Sequence, residues 1–372
     1  MRWTDLPGPS AFIETVEDDL RKSRTVLATV PECFNSEWLP QLKARLGNEF
    51  SVSEIPNSLQ DFLQTYSNRE DGQPLIQARE LHENEVRGHV FILQQPPKNE
   101  WSSWLKFLLK FAQVNRTYSE LERNVFLIID AGDLELLPYE FLLSNRQIEP
   151  FLGSDDALLY SASLTSRPNR YSLEAQMIIH LRAEISLWDF NLCRYLEDYT
   201  VNELLKPKEI LCAYEQDQGW ENYSVASDTV QLSKKGLQIE FCGRRLAHSV
   251  LLCKDEDCKS MFNSRLWTAQ VRSLFPFLEE QRHLILEKAR HLDKNSVEAF
   301  ERELKSEETM ELSKLVSLMQ RGMLFPSRLR QFAIKLNRIR NSIAHLNLCE
   351  IHMLPNEREI EEIRKMSELT KR

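Results

Sequence analysis

Three short runs of apolar residues in the first 165 positions limit most strongly what this chain can fold into. They are TVLATV at 25–30, HVFILQ at 89–94 and NVFLIID at 124–130, and a proline or glycine follows each within two positions. Runs of this length that are apolar on both faces are typical of buried strands in a parallel sheet. Residues 101–114 instead have helical spacing, with apolar side chains on one face. The order strand, helix, strand predicts an α/β domain over residues 1–165 with a mostly parallel sheet.

The third run ends at Asp130 and resembles the aspartate-ended strand that holds magnesium in P-loop ATPases. A P-loop enzyme also needs GxxxxGK[ST], whose glycine amides and lysine cradle the phosphates, and the sequence contains no such motif. The chain after the first run, PECFNSEWLPQLKARL, has neither a glycine nor a Lys-Ser or Lys-Thr pair. We therefore expect a domain that resembles a degenerate P-loop fold, with no working nucleotide site and no cofactor.

Composition and charge narrow the class of protein. The chain has 372 residues, 42% of them hydrophobic and 28% charged, a balance typical of globular domains rather than disordered chains. Its net charge of −9 argues against a protein that coats nucleic acid without specificity. The sequence has no run of about 18 apolar residues, and its 7 cysteines are an odd number. Residues 1–9 contain no apolar h-region and no cleavage site, so we expect no export. We expect reduced thiols, a cytoplasmic location and no membrane association.

Helical patterns dominate after residue 165. The polar stretch TSRPNRYS at 165–172 is typical of a domain boundary. Helices are expected at 173–196, 267–292, 310–320 and 328–348, and a charged helix is expected from residue 356. A less regular insert at about 205–262 contains LQIEF and SVLLC, which are candidates for two short strands. The sequence thus predicts an α/β domain (1–165), a helical connector with a small mixed insert (166–262) and an all-α helical bundle (263–372).

The helix expected at 328–348 is strongly basic and amphipathic. Apolar side chains recur three or four positions apart from Leu329 to Leu346, which commits one face of the helix to a core. Asn341 and His345 are four residues apart, so they share a face away from that stripe. The basic residues of this helix, with no acidic residue among them, are Arg328, Arg330, Lys335, Arg338 and Arg340.

The stretch RNSIAH at 340–345 resembles the R-[polar]-xxx-H motif of the HEPN superfamily, with Arg340, Asn341 and His345 on the matching positions. The preceding helices, LFPFLEEQRHLILEKAR and LSKLVSLMQ, are similar as well, so the resemblance covers the last hundred or so residues. HEPN domains are small helical bundles that commonly form dimers, with two copies of the motif in one cleft. Many are metal-independent endoribonucleases of prokaryotic toxins and antiviral systems, whereas others are binding or assembly modules.

The resemblance implies RNA cleavage by acid–base chemistry. Histidine titrates near neutral pH and serves as a general base or acid, while arginine binds phosphate oxygens through two parallel hydrogen bonds. The motif would assign these roles to His345 and Arg340, with Asn341 orienting a reacting group. Since one copy supplies a single histidine, a homodimer would complete the pair of proton carriers. The cations expected to contact RNA are Arg328, Arg330, Lys335 and Arg338.

Two less specific interpretations stay open. Arg340 and Asn341 can be solvated surface residues while His345 caps or packs the bundle, since an R-x4-H spacing recurs by chance. The helical part can also be a non-catalytic scaffold, with the N-terminal domain docking a partner protein. An enzyme depends on His345, whereas a scaffold depends on an exposed N-terminal surface.

A weak candidate for a metal site lies in FCGRRLAHSVLLCKDEDC at 241–258. Cys242, His248, Cys253 and Cys258 are of the residue types that hold tetrahedral zinc. Their spacing lacks the close C-x2-C pairs of zinc modules, and free cysteines in short strands are usually small buried apolar groups. We therefore expect no metal site.

Overall fold

The computed structural model describes residues 1–34, 37–47, 49–67, 81, 88–119, 122–140, 142–165, 172–292, 311–321 and 326–369. The chain divides into two compact units. Unit one comprises Met1–Ser163, Ser186–Arg194 and Cys212–Asp255, and unit two comprises Leu164–Ile185, Tyr195–Leu211 and Glu256–Arg372. Most of the insert expected at 205–262 therefore belongs with the N-terminal sheet, and the linear domain boundaries stay a prediction. Residues 166–171 of the expected boundary lie outside the described residues.

Unit one is built on a five-stranded sheet in which all neighbouring strands are parallel, in the order β2-β3-β4-β1-β5. The strands are β1 (Thr25–Thr29), β2 (Ser51–Glu54), β3 (His89–Gln94), β4 (Val125–Asp130) and β5 (Leu143–Gln147). The three apolar runs of the sequence form β1, β3 and β4, which are the inner strands, and nearly all of their side chains are buried. The predicted α/β fold with a parallel sheet is confirmed.

The helices between residues 7 and 254 are divided between the two units, because Leu164–Ile185 and Tyr195–Leu211 are part of unit two. They are α1 (Pro7–Arg21), α2 (Trp38–Leu46), α3 (Leu59–Ser67), α4 (Lys98–Asn115), α5 (Ser154–Leu164), α6 (Leu173–Ser186), α7 (Phe190–Tyr195), α8 (Val201–Leu204), α9 (Lys208–Gln218), α10 (Thr229–Lys235) and α11 (Ser249–Lys254). The helix expected at 101–114 is α4, and its Phe111 packs on Phe126 of β4 with ring centroids 5.0 Å apart. The helix expected at 173–196 is two helices, because Leu187 takes a left-handed conformation (φ +50°) between α6 and α7.

The insert contains an antiparallel hairpin of β6 (Gln238–Phe241) and β7 (Arg244–Ala247). Cys242 and Gly243 form its two-residue turn with φ of +51° and +71°, the positive values that a type I′ turn requires. LQIEF matches β6, but the expectation of a strand at SVLLC was wrong, because these residues form α11. His248 caps that helix, since its Nδ1 accepts a hydrogen bond from the Val250 N–H at 3.3 Å.

Unit two contains a helical bundle. Its C-terminal helices are α12 (Lys259–Leu292), α13 (Leu312–Arg321), α14 (Ser327–Ala344) and α15 (Glu357–Leu369). Helix α14 packs against each of the other three. The predicted helical character of the C-terminal part is confirmed, although α14 ends four residues before the expected end at 348. Among the described residues, no helix combines the length and the apolar character needed to cross a membrane.

Candidate functional site

Helix α14 carries the RNSIAH motif, and its core face determines which residues reach the surface. Leu329, Leu336, Ile339 and Ile343 are fully buried, and Phe332 is nearly so. Large apolar side chains at intervals of three or four residues cover one side of a helix. The predicted apolar stripe is therefore confirmed up to Ile343, and the polar residues of the motif are left at its border. Leu346, the last residue expected in the stripe, is 70% exposed, because the helix ends at Ala344.

The C-terminal end of α14 is a tight turn with an unusual residue in it. Leu346 has φ +59°, and its N–H donates to the Ile343 carbonyl at 3.0 Å, while the Asn347 N–H donates to the Ser342 carbonyl at 3.0 Å. These two bonds define a Schellman motif, in which glycine usually takes the left-handed position. A residue with a Cβ pays roughly 1–2 kcal/mol for that conformation. His345 is the capping residue just before this turn, and its side chain is exposed.

Two residues of α12 hold this turn in place. The Trp267 indole N–H donates to the Ile343 carbonyl at 2.8 Å. The Gln270 amide is fully buried and pairs with both backbone groups of Cys349: its Nε2 donates to the carbonyl and its Oε1 accepts from the N–H, each at 2.7 Å. The chain is therefore fixed just before and shortly after His345.

Arg340, Asn341 and His345 meet at this end of the helix to different degrees. Arg340 Nη1 lies 3.4 Å from Asn341 Oδ1, and its Nη2 lies 3.4 Å from Glu311 Oε2, so the guanidinium rests between two oxygen acceptors. Because a helix turns about 100° per residue, Asn341 lies between Arg340 and His345 around the axis. Within the described part of the chain, no side chain forms a hydrogen bond with the His345 imidazole.

The four cations expected to contact RNA differ in their surroundings. Lys335 Nζ donates to both carboxylate oxygens of Glu359, at 2.8 and 3.1 Å, and Arg328 lies 3.4 Å from Glu362. Arg330 is half-buried and Arg338 is exposed, and the described residues offer neither of them an acidic partner. The acidic residues of α15 thus neutralise part of the basic helix. Sequence reasoning missed these pairs, because each joins residues far apart in the chain, where spacing along one helix gives no signal.

The Glu359 carboxylate is held at the start of α15 as well as by Lys335. The Asn356 N–H donates to Glu359 Oε2 at 2.9 Å, and the Glu359 N–H donates to Asn356 Oδ1 at 2.8 Å. Burial alone would raise the pKa of Glu359, but the hydrogen bonds from Lys335 and from the Asn356 backbone outweigh it and lower the pKa. Glu359 is therefore a charged partner of Lys335 at neutral pH.

A groove of about 790 Å³ lies between α14 and α15. Arg328, Lys335 and Arg338 line it, and Glu359 and Glu362 face them. The remaining contacts are mostly apolar and come from Phe332, Ile334, Met353 and Ile363. The groove therefore combines cations, carboxylates and an apolar floor beside the motif helix.

A second cluster of ionisable groups, which sequence reasoning missed, joins α6 to α12. Arg272 Nη1 lies 2.6 Å from Glu184 Oε1. Burial raises the pKa of Glu184, against the opposing charges of Arg272 and Arg265. Burial also lowers the pKa of Arg265 to about 10, and burial followed by the charge of Arg272 lowers the pKa of His180. With its carboxylate paired to Arg272, this cluster serves to fasten two helices together.

The weak metal candidates occupy different settings. Cys242 is exposed in the β6–β7 turn, whereas His248 is buried with its Nε2 3.2 Å from Asp189 Oδ2. Cys253 and Cys258 are half-buried. In the part of the chain that the structure describes, no three His, Cys, Asp or Glu side chains are grouped so that they could hold a metal ion.

Asp130, at the end of β4, has a structural role in the following turn. Its Oδ2 accepts hydrogen bonds from the backbone N–H groups of Gly132, Asp133 and Leu134, at 2.8, 2.9 and 3.1 Å. Asp133 in turn pairs with Lys234 of α10 at 2.9 Å. The Asp130 carboxylate, which resembles a magnesium ligand in sequence, thus accepts hydrogen bonds from the backbone of the turn that follows it.

No family model matches this chain, and neither does any curated protein. The similarity of RNSIAH to the HEPN motif therefore rests on the residues themselves and on the helices that surround them.

Proposed function

We propose that the end of α14 is the active site of a metal-independent endoribonuclease that acts as a homodimer. The observation that supports this best is the setting of His345. Its imidazole is exposed on a turn that α12 holds on both sides, and Asn341 precedes it by one helical turn. A histidine that packs the bundle would be buried instead. Arg340 is within reach of Asn341, so all three motif residues belong to one surface region.

The proposed reaction is cleavage of RNA by its own 2′-hydroxyl. The 2′-oxygen attacks the adjacent phosphorus while neutral His345 of one copy takes the hydroxyl proton. The bond from phosphorus to the 5′-oxygen breaks, and protonated His345 of a second copy supplies the proton that this oxygen needs. Arg340 binds the non-bridging phosphate oxygens and stabilises the charge that develops on them. The products are a 2′,3′-cyclic phosphate and a free 5′-hydroxyl.

The biological setting belongs to the same proposal. A cytoplasmic effector of a prokaryotic defence or toxin-like system is what the resemblance to the HEPN motif implies. The fold of the N-terminal sheet by itself does not favour one setting over another.

The test compares the full-length wild type with His345→Ala, Arg340→Lys and the control His283→Ala, each incubated with mixed RNA in EDTA. His283 is an exposed histidine on α12 outside the motif, so its loss should leave cleavage unchanged. His345→Ala should lower the rate by about 10²–10⁴, the usual effect of removing a general acid or base. Arg340→Lys should lose most activity, because lysine keeps the charge but not the paired hydrogen bonds.

Two outcomes would count against the nuclease. The wild type, with its natural partners present, could yield no fragments that end in 2′,3′-cyclic phosphate. Alternatively, His345→Ala could cleave like His283→Ala. Thermal melts run alongside would identify any variant that lost activity only because it unfolded.

A specific observation favours a second function, docking of a partner protein by unit one. Tyr139 is fully exposed and Leu136 is half exposed on the loop after β4. The loop is held firmly, because Asn145 pairs with both backbone groups of Leu137, at 2.8 and 3.0 Å, and Trp101 donates to a loop carbonyl at 3.0 Å. An exposed tyrosine on a rigid loop is typical of protein interfaces. If the function in cells depends on Tyr139 and not on His345, the scaffold is the better account.

A further inference from the structure

The cations of α14 that line the groove between α14 and α15 precede His345 along the helix. Arg328, Lys335 and Arg338 follow one another at intervals of seven and three residues, and all three line the groove. Asn341 and His345 extend the same series by three and four residues. Successive members of this series are neighbours on the helix surface, and Arg338 and His345, seven residues apart, lie within about 20° of each other around the axis. From Arg338 to His345 the axial distance is about 10 Å, at a rise of 1.5 Å per residue.

The groove already holds anionic oxygens against its cations. Lys335 contacts both oxygens of Glu359, and Arg328 contacts one oxygen of Glu362. A phosphodiester presents the same kind of charged acceptor to lysine and arginine. Such half-exposed pairs contribute little to stability, so exchanging a carboxylate for a phosphate costs little. Arg338 is exposed and none of the described residues pairs with it, so it offers the first contact to an incoming phosphate.

The size of the groove limits the form of nucleic acid that fits. Its volume of about 790 Å³ is that of a site for a small ligand rather than for a duplex. The apolar side chains of Ile334 and Met353 line the same space and can contact the faces of unpaired bases. The chemistry therefore suits a few nucleotides of single strand.

We propose that the groove between α14 and α15 is the binding subsite for a single-stranded RNA segment that flanks the cleaved bond. Its phosphates contact Arg338 and displace Glu359 and Glu362 from Lys335 and Arg328. This inference rests on the proposed nuclease function. It adds a binding site, a preference for single-stranded RNA, and a competition between RNA phosphates and the carboxylates of α15 for the cations of α14.

The test measures RNA affinity by fluorescence anisotropy with a short labelled single-stranded oligoribonucleotide. The full chain carries His345→Ala throughout, so that the probe stays intact. Arg338→Ala should weaken binding by roughly fivefold and reduce the slope of log affinity against log salt by about 0.7, the value for one phosphate contact with a single strand. Lys365→Ala, which removes an exposed cation of α15 outside the groove, should change neither quantity.

A matched pair of neighbouring glutamates tests the competition. Glu362 lines the groove and Glu361 does not. Glu362→Gln should raise the affinity, by up to about fivefold, because it removes the carboxylate charge that pairs with Arg328 and, on its own helix, with Arg358 at 3.2 Å. Glu361→Gln makes the same chemical change one residue away and should have no effect.

The outcomes separate the two proposals. If the His345→Ala chain binds no RNA, the nuclease function fails and the subsite with it. If it binds RNA but Arg338→Ala behaves like Lys365→Ala, or Glu362→Gln like Glu361→Gln, the subsite is wrong while the nuclease function stands. Arg338 is exposed, so its variant should melt like the parent chain, and the affinity change then reports on binding.

Discussion

Replacing Gln270 by leucine should loosen the turn that presents His345. The two residues have similar volumes, but leucine cannot pair with the backbone N–H and carbonyl of Cys349, which Gln270 satisfies at 2.7 Å each. Gln270 and Cys349 are both fully buried, so water cannot replace the lost bonds. Each buried polar group left without a partner costs about 1–3 kcal/mol, which sums to about 2–6 kcal/mol for Gln270→Leu. This is a large part of the 5–15 kcal/mol that usually stabilises a domain.

The Cys349 thiol gives a local measurement of this loss. Burial, followed by the charge of Glu350, raises the pKa of Cys349 to about 11, so the closed state reacts slowly with alkylating agents. Opening of the turn exposes the thiol and restores an ordinary pKa. Since every 1.4 kcal/mol is a factor of ten, the lower bound of 2 kcal/mol corresponds to a roughly 30-fold faster alkylation of Cys349. Peptide-resolved mass spectrometry separates this thiol from the other cysteines.

The matched control is Gln320→Leu, the same change at an exposed position of α13 in the same unit. It should stay within about 0.5 kcal/mol of wild type. Gln270→Glu should not restore stability at neutral pH, because a carboxylate has no proton for the Cys349 carbonyl and its charge would be buried without a partner. An alkylation rate in Gln270→Leu within about twofold of wild type would refute the reasoning.

Three further predictions concern stability. Leu346→Gly should raise the free energy of unfolding, measured in urea, by roughly 0.5–1 kcal/mol, because glycine takes the left-handed conformation without strain and at a modest cost in chain entropy. A lower free energy of unfolding would show that Leu346 is not strained. Asp19→Asn should cost roughly 2–4 kcal/mol, because this buried carboxylate accepts a hydrogen bond from Arg146 Nε at 2.6 Å, whereas Asp18→Asn, at an exposed neighbour, should cost little. The pKa of Glu359 is lowered despite burial. The carboxylate therefore stabilises the folded state above its ordinary pKa of 4.5, and this stabilisation is lost as the pH falls through the lowered pKa. The melting temperature of wild type should therefore drop more steeply below about pH 4.5 than that of Glu359→Gln. If the melting temperatures of the two proteins fell in parallel with pH, the ion pair of Glu359 would not stabilise the fold.

The inner strands of the sheet could be predicted, because burial on both faces requires apolar residues. β1, β3 and β4 are inner strands, so their residues must be apolar on both faces, and the sequence marks them clearly. β2 (SVSE) and β5 (LSNRQ) are the edges of the sheet and were missed. Their residues are largely polar, because an edge strand is defined by its pairing with one neighbour rather than by burial. SVLLC was misassigned for a related reason, since a short apolar run fits a buried helix as well as a strand.

The sequence placed the residues of the candidate site on one face of a helix, but it did not predict that they lie where this helix ends. The apolar stripe of α14 follows from sequence periodicity, and with it the exclusion of Asn341 from the core. The end of the helix could not be predicted, because the residue in the left-handed position is Leu346, where the usual signal is glycine. The pairs that Glu359 and Glu362 form with α14 join residues more than twenty positions apart, and pattern rules for neighbouring residues do not reach that far.

The strain at Leu346 links the fold to the proposed site. A left-handed residue with a side chain persists only where the surrounding structure fixes the backbone, and such residues cluster at functional sites. Here Trp267 and Gln270 of α12 supply that constraint from within the bundle. These contacts involve the buried residues Ile343 and Cys349, but the residues between them are at the surface, because Leu346 is 70% exposed and His345 beside it is exposed as well. A bundle that needed only to end its helix would be better served by glycine. In the dimeric nuclease that we propose, the exposed leucine next to the histidine would supply an apolar contact for the second copy, and the fixed turn would hold His345 in position.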